Sequence, residues 1–146
     1  LSALVTWWQA MIVGIGVDLF SVTRVEDELD KGDQGLRDQI YTPEEIAYCE
    51  GKRYPGQHYA ARFAAKEAVF KALGAAGLSG QHWRDVEVRS DPHTGRSHVI
   101  LKGKVREAAE ALGAATIHVS LSHTRDWAVA SVVLESADER AADGRK

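Results

Sequence analysis

Arg62-Phe63-Ala64-Ala65-Lys66-Glu67-Ala68-Val69-Phe70-Lys71-Ala72-Leu73-Gly74 reads as a helix of strong formers closed by a glycine. Almost every uncharged position in it is apolar, all the way round, and such a helix is normally buried. Yet it carries Arg62, Lys66, Glu67 and Lys71, and buried charges need partners. Arg62 and Lys66 are also like charges at i, i+4, which repel on a helix surface. Three cations and one carboxylate on an oily helix point to an anionic ligand with a metal beside it.

Outward from this helix, the upstream half is mostly helical. Residues 11–17 form a β-branched run that predicts a strand, and Ser21 is placed to cap a short helix over 22–29. Gly32, Asp33 and Gly35 break that helix, and a further short one covers 36–40. Thr42-Pro43-Glu44-Glu45 is a strong helix start, with a cap, proline at the first position and acids in the first turn. Residues 52–57 read as a loop, and residues 74–80 as a glycine-rich connection.

The downstream half is mostly strand. Residues 85–90 and 97–101 flank Asp91-Pro92-His93-Thr94-Gly95 and predict a β-hairpin. A helix over 105–112 ends at Gly113. In 117–122, Ile117, Val119 and Leu121 alternate with His118, Ser120 and Ser122. A tight turn at 124–126 leads to a last strand over 127–134. Helices early and strands late give an α+β domain, with a mainly antiparallel sheet packed against the long buried helix.

With 146 residues, 45% apolar and 27% charged, the chain suits one globular domain with a real core. Its net charge of −3 gives no nucleic-acid footprint. One cysteine, Cys49, cannot make an internal disulfide and fits a reducing cytoplasm. Residues 1–10 are apolar but lack a basic leader and fall short of a membrane span. They read as an N-terminal extension or expression remnant, followed by a domain over 11–135 and a polar tail over 136–146.

Gly14-Ile15-Gly16-Val17-Asp18 invites a dinucleotide reading, but the third glycine of that fingerprint is missing. Asp18 would also set a negative charge against a pyrophosphate, a conflict that a divalent cation between them removes. The plainer alternative is a strand ending in a turn with a polar terminator. For Glu67 the plainer alternative is an ion pair with Lys71, worth about 0.3–0.5 kcal/mol. Burial favours the other reading, because magnesium is usually held by one or two carboxylates, with phosphate oxygens and water completing its shell. Asp18 and Glu67 would supply that pair, and Arg62, Lys66 and Lys71 the phosphate contacts. His118, Ser120, Ser122 and His123 make a polar patch at the sheet end, which on its own is the wet face of a half-buried strand. A Ser-His hydrolase lacks both a telling acid and a nucleophile elbow.

Taken in order, three stretches resemble the holo-[acyl-carrier-protein] synthase family of 4′-phosphopantetheinyl transferases. The run from Gly14 to Arg24 resembles its first motif, Arg62 to Ala68 with Lys71 and Gly74 its second, and His118-Val119-Ser120-Leu121-Ser122-His123-Thr124 its third. The resemblance implies that the phosphopantetheine arm of coenzyme A moves to a serine of an apo acyl carrier protein, releasing 3′,5′-ADP. It implies Asp18 and Glu67 as magnesium ligands, and Glu67, directly or through a metal-bound water, as base for the incoming serine. Lys71 would stabilise the leaving group. Arg62, Lys66, Lys71, Gly74, His123 and Thr124 would contact coenzyme A, and Arg24 and Arg37 the carrier protein. A cytoplasmic homotrimer with active sites at subunit boundaries is a further implication.

One departure concerns the carrier. Acyl carrier proteins are acidic, and the family's helix after the first motif usually presents bases to them. Here Glu26, Asp27, Glu28, Asp30, Asp33 and Asp38 outnumber Arg24, Lys31 and Arg37, and like charge across an interface weakens association. Two other classes compete with the transferase: a silent coenzyme A-binding regulator, which would not need both acids, and a structural subunit whose charged helix makes intersubunit pairs.

Overall fold

The computed structural model describes residues 9–32 and 34–138. Strand β1 (Ile12–Ser21) leads into helices α1 (Val22–Asp30), α2 (Gln34–Ile40), α3 (Pro43–Glu50) and α4 (Pro55–Leu73). The hairpin strands β2 (Val86–Ser90) and β3 (Ser97–Leu101) follow, then α5 (Gly103–Leu112), β4 (Ala114–His123) and β5 (Trp127–Ser136). The α+β expectation holds: one antiparallel sheet has the order β1-β5-β4 and the hairpin forms a second. Residues 1–8 and 139–146, and with them most of the extension and tail readings, lie outside the described residues. At the inner ends of those segments, Ser136 N–H donates to the Met11 carbonyl at 2.8 Å.

Local chemistry explains the helix starts. Ser21 Oγ accepts from Arg24 N–H at 3.2 Å. Thr42 and Glu45 complete a capping box, each side chain accepting from the other's backbone. Helix α4 begins at Pro55, inside the stretch expected to be loop, because proline at its first position costs no hydrogen bond.

Helix α4 is the centre of the molecule. Ala64, Ala65, Ala68, Val69, Phe70 and Ala72 are buried against Ala130, Val132 and Leu134 of β5 and Val86 and Val88 of β2. Burying a side chain such as Phe70 contributes roughly 1.5–3 kcal/mol. The glycine pair of β1 is no turn, since the strand runs on to Ser21. A Cβ on Gly14 would lie 2.1 Å from the Ala72 carbonyl oxygen, and one on Gly16 2.0 Å from that of Ala68. Both glycines therefore allow the helix backbone to lie directly on the strand. This close approach sets the next inward-facing residue of β1, Asp18, beside α4.

Candidate active site on the β1–α4 seam

Asp18 pairs in register with Ala130 of β5, which pairs with Leu121 of β4, so its carboxylate lies on the helix-facing side of the sheet. Its side chain is 14% exposed, and Lys71 Nζ approaches its Oδ1 at 3.0 Å. The same ammonium donates to the Val17 carbonyl at 3.0 Å. The other oxygen, Oδ2, is buried without a hydrogen-bond partner. Burial holds the Asp18 carboxyl above the ordinary carboxylate range, against the pull of Lys71, and the nearby charge of Glu67 pushes the same way. A buried acid with an orphaned oxygen and an acidic neighbour is a place where a cation is stabilised.

Glu67 lies one helical turn before Lys71, on the same stripe of α4. Trp83 Nε1 donates to its Oε1 at 2.7 Å. Ser79 Oγ lies 2.8 Å from Oε1 and 3.1 Å from Oε2. Among the described residues no group of three or more His, Cys, Asp and Glu side chains forms a metal cage. Two carboxylates suit magnesium, which keeps the rest of its shell for phosphate and water. The donor set fits that ion, and Asp18 Oδ2 and the Glu67 carboxylate are the oxygens that would hold it.

Arg62 and His123 belong to a second cluster. The Arg62 guanidinium lies 3.8 Å from the Tyr48 ring centroid and donates to Ser90 Oγ at 3.2 Å. The Tyr48 ring meets His58 at 5.7 Å, and His58 meets His123 at 5.1 Å. Burial drives the His58 pKa down to about 4, with the charges of His123, Arg62 and Lys52 acting in the same direction. Thr124 follows His123 and accepts from Trp127 N–H at 3.2 Å. Gly74 caps α4 in the left-handed region (φ 63°), its N–H donating to the Lys71 carbonyl.

Lys66 requires a correction: its side chain is 0% exposed. Its ammonium pairs with Glu45 Oε1 at 2.7 Å and donates to the Trp83 carbonyl at 3.0 Å and to the Val86 carbonyl. Those three acceptors use the three donors of a lysine, so none is left for coenzyme A. Arg37 is similarly engaged, with Glu50 at 3.4 Å and Asp38 at 3.9 Å. Arg24 is exposed and lies 5.4 Å from the Phe20 ring centroid. That ring edges a cleft of about 190 Å³, lined also by Leu29, Leu36, Ile40, Phe63 and Trp83. Ser79, Trp83 and His58 carried no expectation from sequence. A tryptophan with an obligatory N–H donor, just past a glycine-rich connection, was the available signal for one of them.

The outer face of the sheet is not simply wet. Register places Ile15, Val133 and His118 in one row, Val17, Ser131 and Ser120 in the next, and Leu19, Val129 and Ser122 in a third. Ile15, Val17 and Leu19 are 70%, 59% and 59% exposed, so the polar residues of β4 share a face with an open apolar stripe.

Comparison with known proteins agrees with this fold. The holo-[acyl-carrier-protein] synthase of Syntrophus aciditrophicus is 46% identical over 125 residues, covering 86% of this chain and 97% of that protein. The crystal structure of the Neisseria meningitidis synthase superposes with a TM-score of 0.76 at 31% identity, over 86% of this chain and 100% of that one. The Bacillus anthracis synthase, solved in complex with CoA (3′,5′-ADP), gives a TM-score of 0.68 at 36% identity, over 87% and 99%. Residues 14–133 match the family described as the 4′-phosphopantetheinyl transferase superfamily, and with both motif acids and Lys71 on one seam the chain belongs to that family, among its holo-[acyl-carrier-protein] synthases.

Proposed function

We propose that the β1–α4 seam transfers the 4′-phosphopantetheine group of coenzyme A to a serine of an apo acyl carrier protein, with magnesium held by Asp18 and Glu67. The observation that carries the reading is the orphaned Asp18 Oδ2 on a seam shared with Glu67 and Lys71. The serine oxygen forms a bond to the phosphorus bearing the pantetheine arm. The bond from that phosphorus to the bridging oxygen breaks, and 3′,5′-ADP leaves. Glu67, directly or through a water, is the acceptor for the serine proton. Lys71, 55% exposed and bonded to Asp18 at 3.0 Å, is the cation that stabilises the charge building on the leaving phosphate. When bound, magnesium supplies further charge stabilisation at the pyrophosphate oxygens. Arg62, though 2% exposed, and the exposed His123 are the groups assigned to the remaining phosphate of coenzyme A.

Among the described residues no helix is long and apolar enough to cross a membrane. Cys49, a free and buried cysteine, is in keeping with a reducing cytoplasm. Arg24, at the edge of the apolar cleft, is the exposed base for the carrier, a protein of fatty-acid or polyketide synthesis. The open stripe of Ile15, Val17 and Leu19 supports a trimer in which these faces meet, since monomers rarely expose contiguous apolar surface.

The direct test is the mass of an apo acyl carrier protein after incubation with this chain, coenzyme A and magnesium. A gain of one phosphopantetheine, lost with EDTA, is expected. No gain on several carriers, with coenzyme A still bound, would leave only a silent binding domain. For the assembly, Ile15→Glu is expected to turn trimers into monomers in sedimentation, with coenzyme A affinity falling too. A wild-type monomer would sink the trimer.

A further inference from the structure

Resting on that transferase reading, we infer that Trp83 and Ser79 are positioning residues for the Glu67 carboxylate, and that buried Lys66 sets Trp83 in place. Glu67 Oε1 takes the two shortest bonds, 2.7 Å from the Trp83 indole and 2.8 Å from the Ser79 hydroxyl. Oε2 takes only the 3.1 Å approach of the same hydroxyl, so it keeps more of its acceptor capacity. Two donors from one side stop the carboxylate from rotating about its terminal bond. Oε1 is tied to the protein, and Oε2 is the oxygen offered to a cation. This is the outer-shell arrangement by which proteins orient a metal-ligating carboxylate.

The donors are themselves anchored. The Trp83 carbonyl accepts from Lys66 Nζ at 3.0 Å, and the indole lies 5.8 Å, centroid to centroid, from Phe63 on α4. Lys66 is in turn fixed by Glu45 at 2.7 Å. An unbroken chain therefore runs from Glu45 through Lys66 and the Trp83 backbone to the indole and Glu67. The competing explanation is that Glu67 merely satisfies a half-buried indole N–H. That account leaves metal affinity unaffected by loss of the donor.

The experiment is Mn²⁺ binding by electron paramagnetic resonance, without coenzyme A, on wild type, Trp83→Phe and Ser79→Ala, with thermal melts to verify folding. Mn²⁺ affinity is expected to fall about ten- to a hundredfold in Trp83→Phe and less in Ser79→Ala, the range for outer-shell partners. Turnover should fall with it. If Trp83→Phe does not fold, Ser79→Ala decides alone, since it removes only a hydroxyl. Folded variants that bind Mn²⁺ within about twofold of wild type, well below the outer-shell range, overturn the positioning role while wild-type transfer stands. Lost Mn²⁺ affinity in the variants, in a chain that modifies no carrier, supports the positioning role and removes the transferase.

Discussion

Asp18→Ala is expected to abolish transfer and at the same time leave the protein as stable as wild type or more so. Two magnitudes decide the sign. An unsatisfied buried polar group costs about 1–3 kcal/mol, and Asp18 Oδ2 is one. The Lys71 pair lost with it is half exposed on the lysine side, and such pairs contribute about 0–1 kcal/mol. Removing the acid therefore relieves more than it loses, as befits a residue kept for chemistry. Glu67→Ala is expected to be equally inactive. Both should lower transfer by more than about a hundredfold, the upper end for loss of a mere outer-shell partner. Lys71→Ala should reduce turnover more than carrier binding. Carrier-mass assays at saturating coenzyme A, with melting curves on the same samples, are the measurements. Wild-type transfer by Glu67→Ala would sink the metal assignment, and a large drop in the melting temperature of Asp18→Ala would make that acid structural.

The architecture was largely legible because its signals are local. The Thr42 capping box, the glycine after Leu73, the hairpin around Asp91 to Gly95 and the alternation after Ile117 each depend on near neighbours in sequence. The proposed acids stood out for a different reason: Asp18 and Glu67 are charges in apolar runs, although each also had a plainer reading in sequence. The purpose of Gly14 and Gly16 was not, since only the distance to the carbonyls of α4 reveals it. Nor was the division among the cations of α4. Glu67 and Lys71 lie one turn apart on one stripe, and Arg62 and Lys66 lie one turn apart on another, about 100° round the helix. In a helix apolar on every side, no polar face shows which stripe meets the strand. The charges around α1 settle less simply: Lys31, at its C-terminal cap, is engaged with Glu28 at 3.3 Å, which leaves the acidic character of the helix in place.

Lys66→Met should cost the fold about 3–5 kcal/mol, the range for removing one partner of a buried ion pair. The loss arises from what remains. Glu45 would stay buried without its cation, bonded only to the backbone N–H groups of Thr42 and Val88, and the carbonyls of Trp83 and Val86 would lose a donor. Against a typical total stability of about 5–15 kcal/mol, this should be plain in urea unfolding. Methionine keeps the length of the lysine stem, so a cavity contributes little. Adding Glu45→Gln removes the stranded charge and should recover part of the loss, a coupling that neither single substitution shows alone. A coenzyme A contact would behave in the opposite way, with Lys66→Met weakening the cofactor and sparing stability. The outcome thus separates two roles that adjacent lysines on one helix make indistinguishable in sequence. It also bears on activity, because a loosened Trp83 carbonyl frees the indole that holds Glu67.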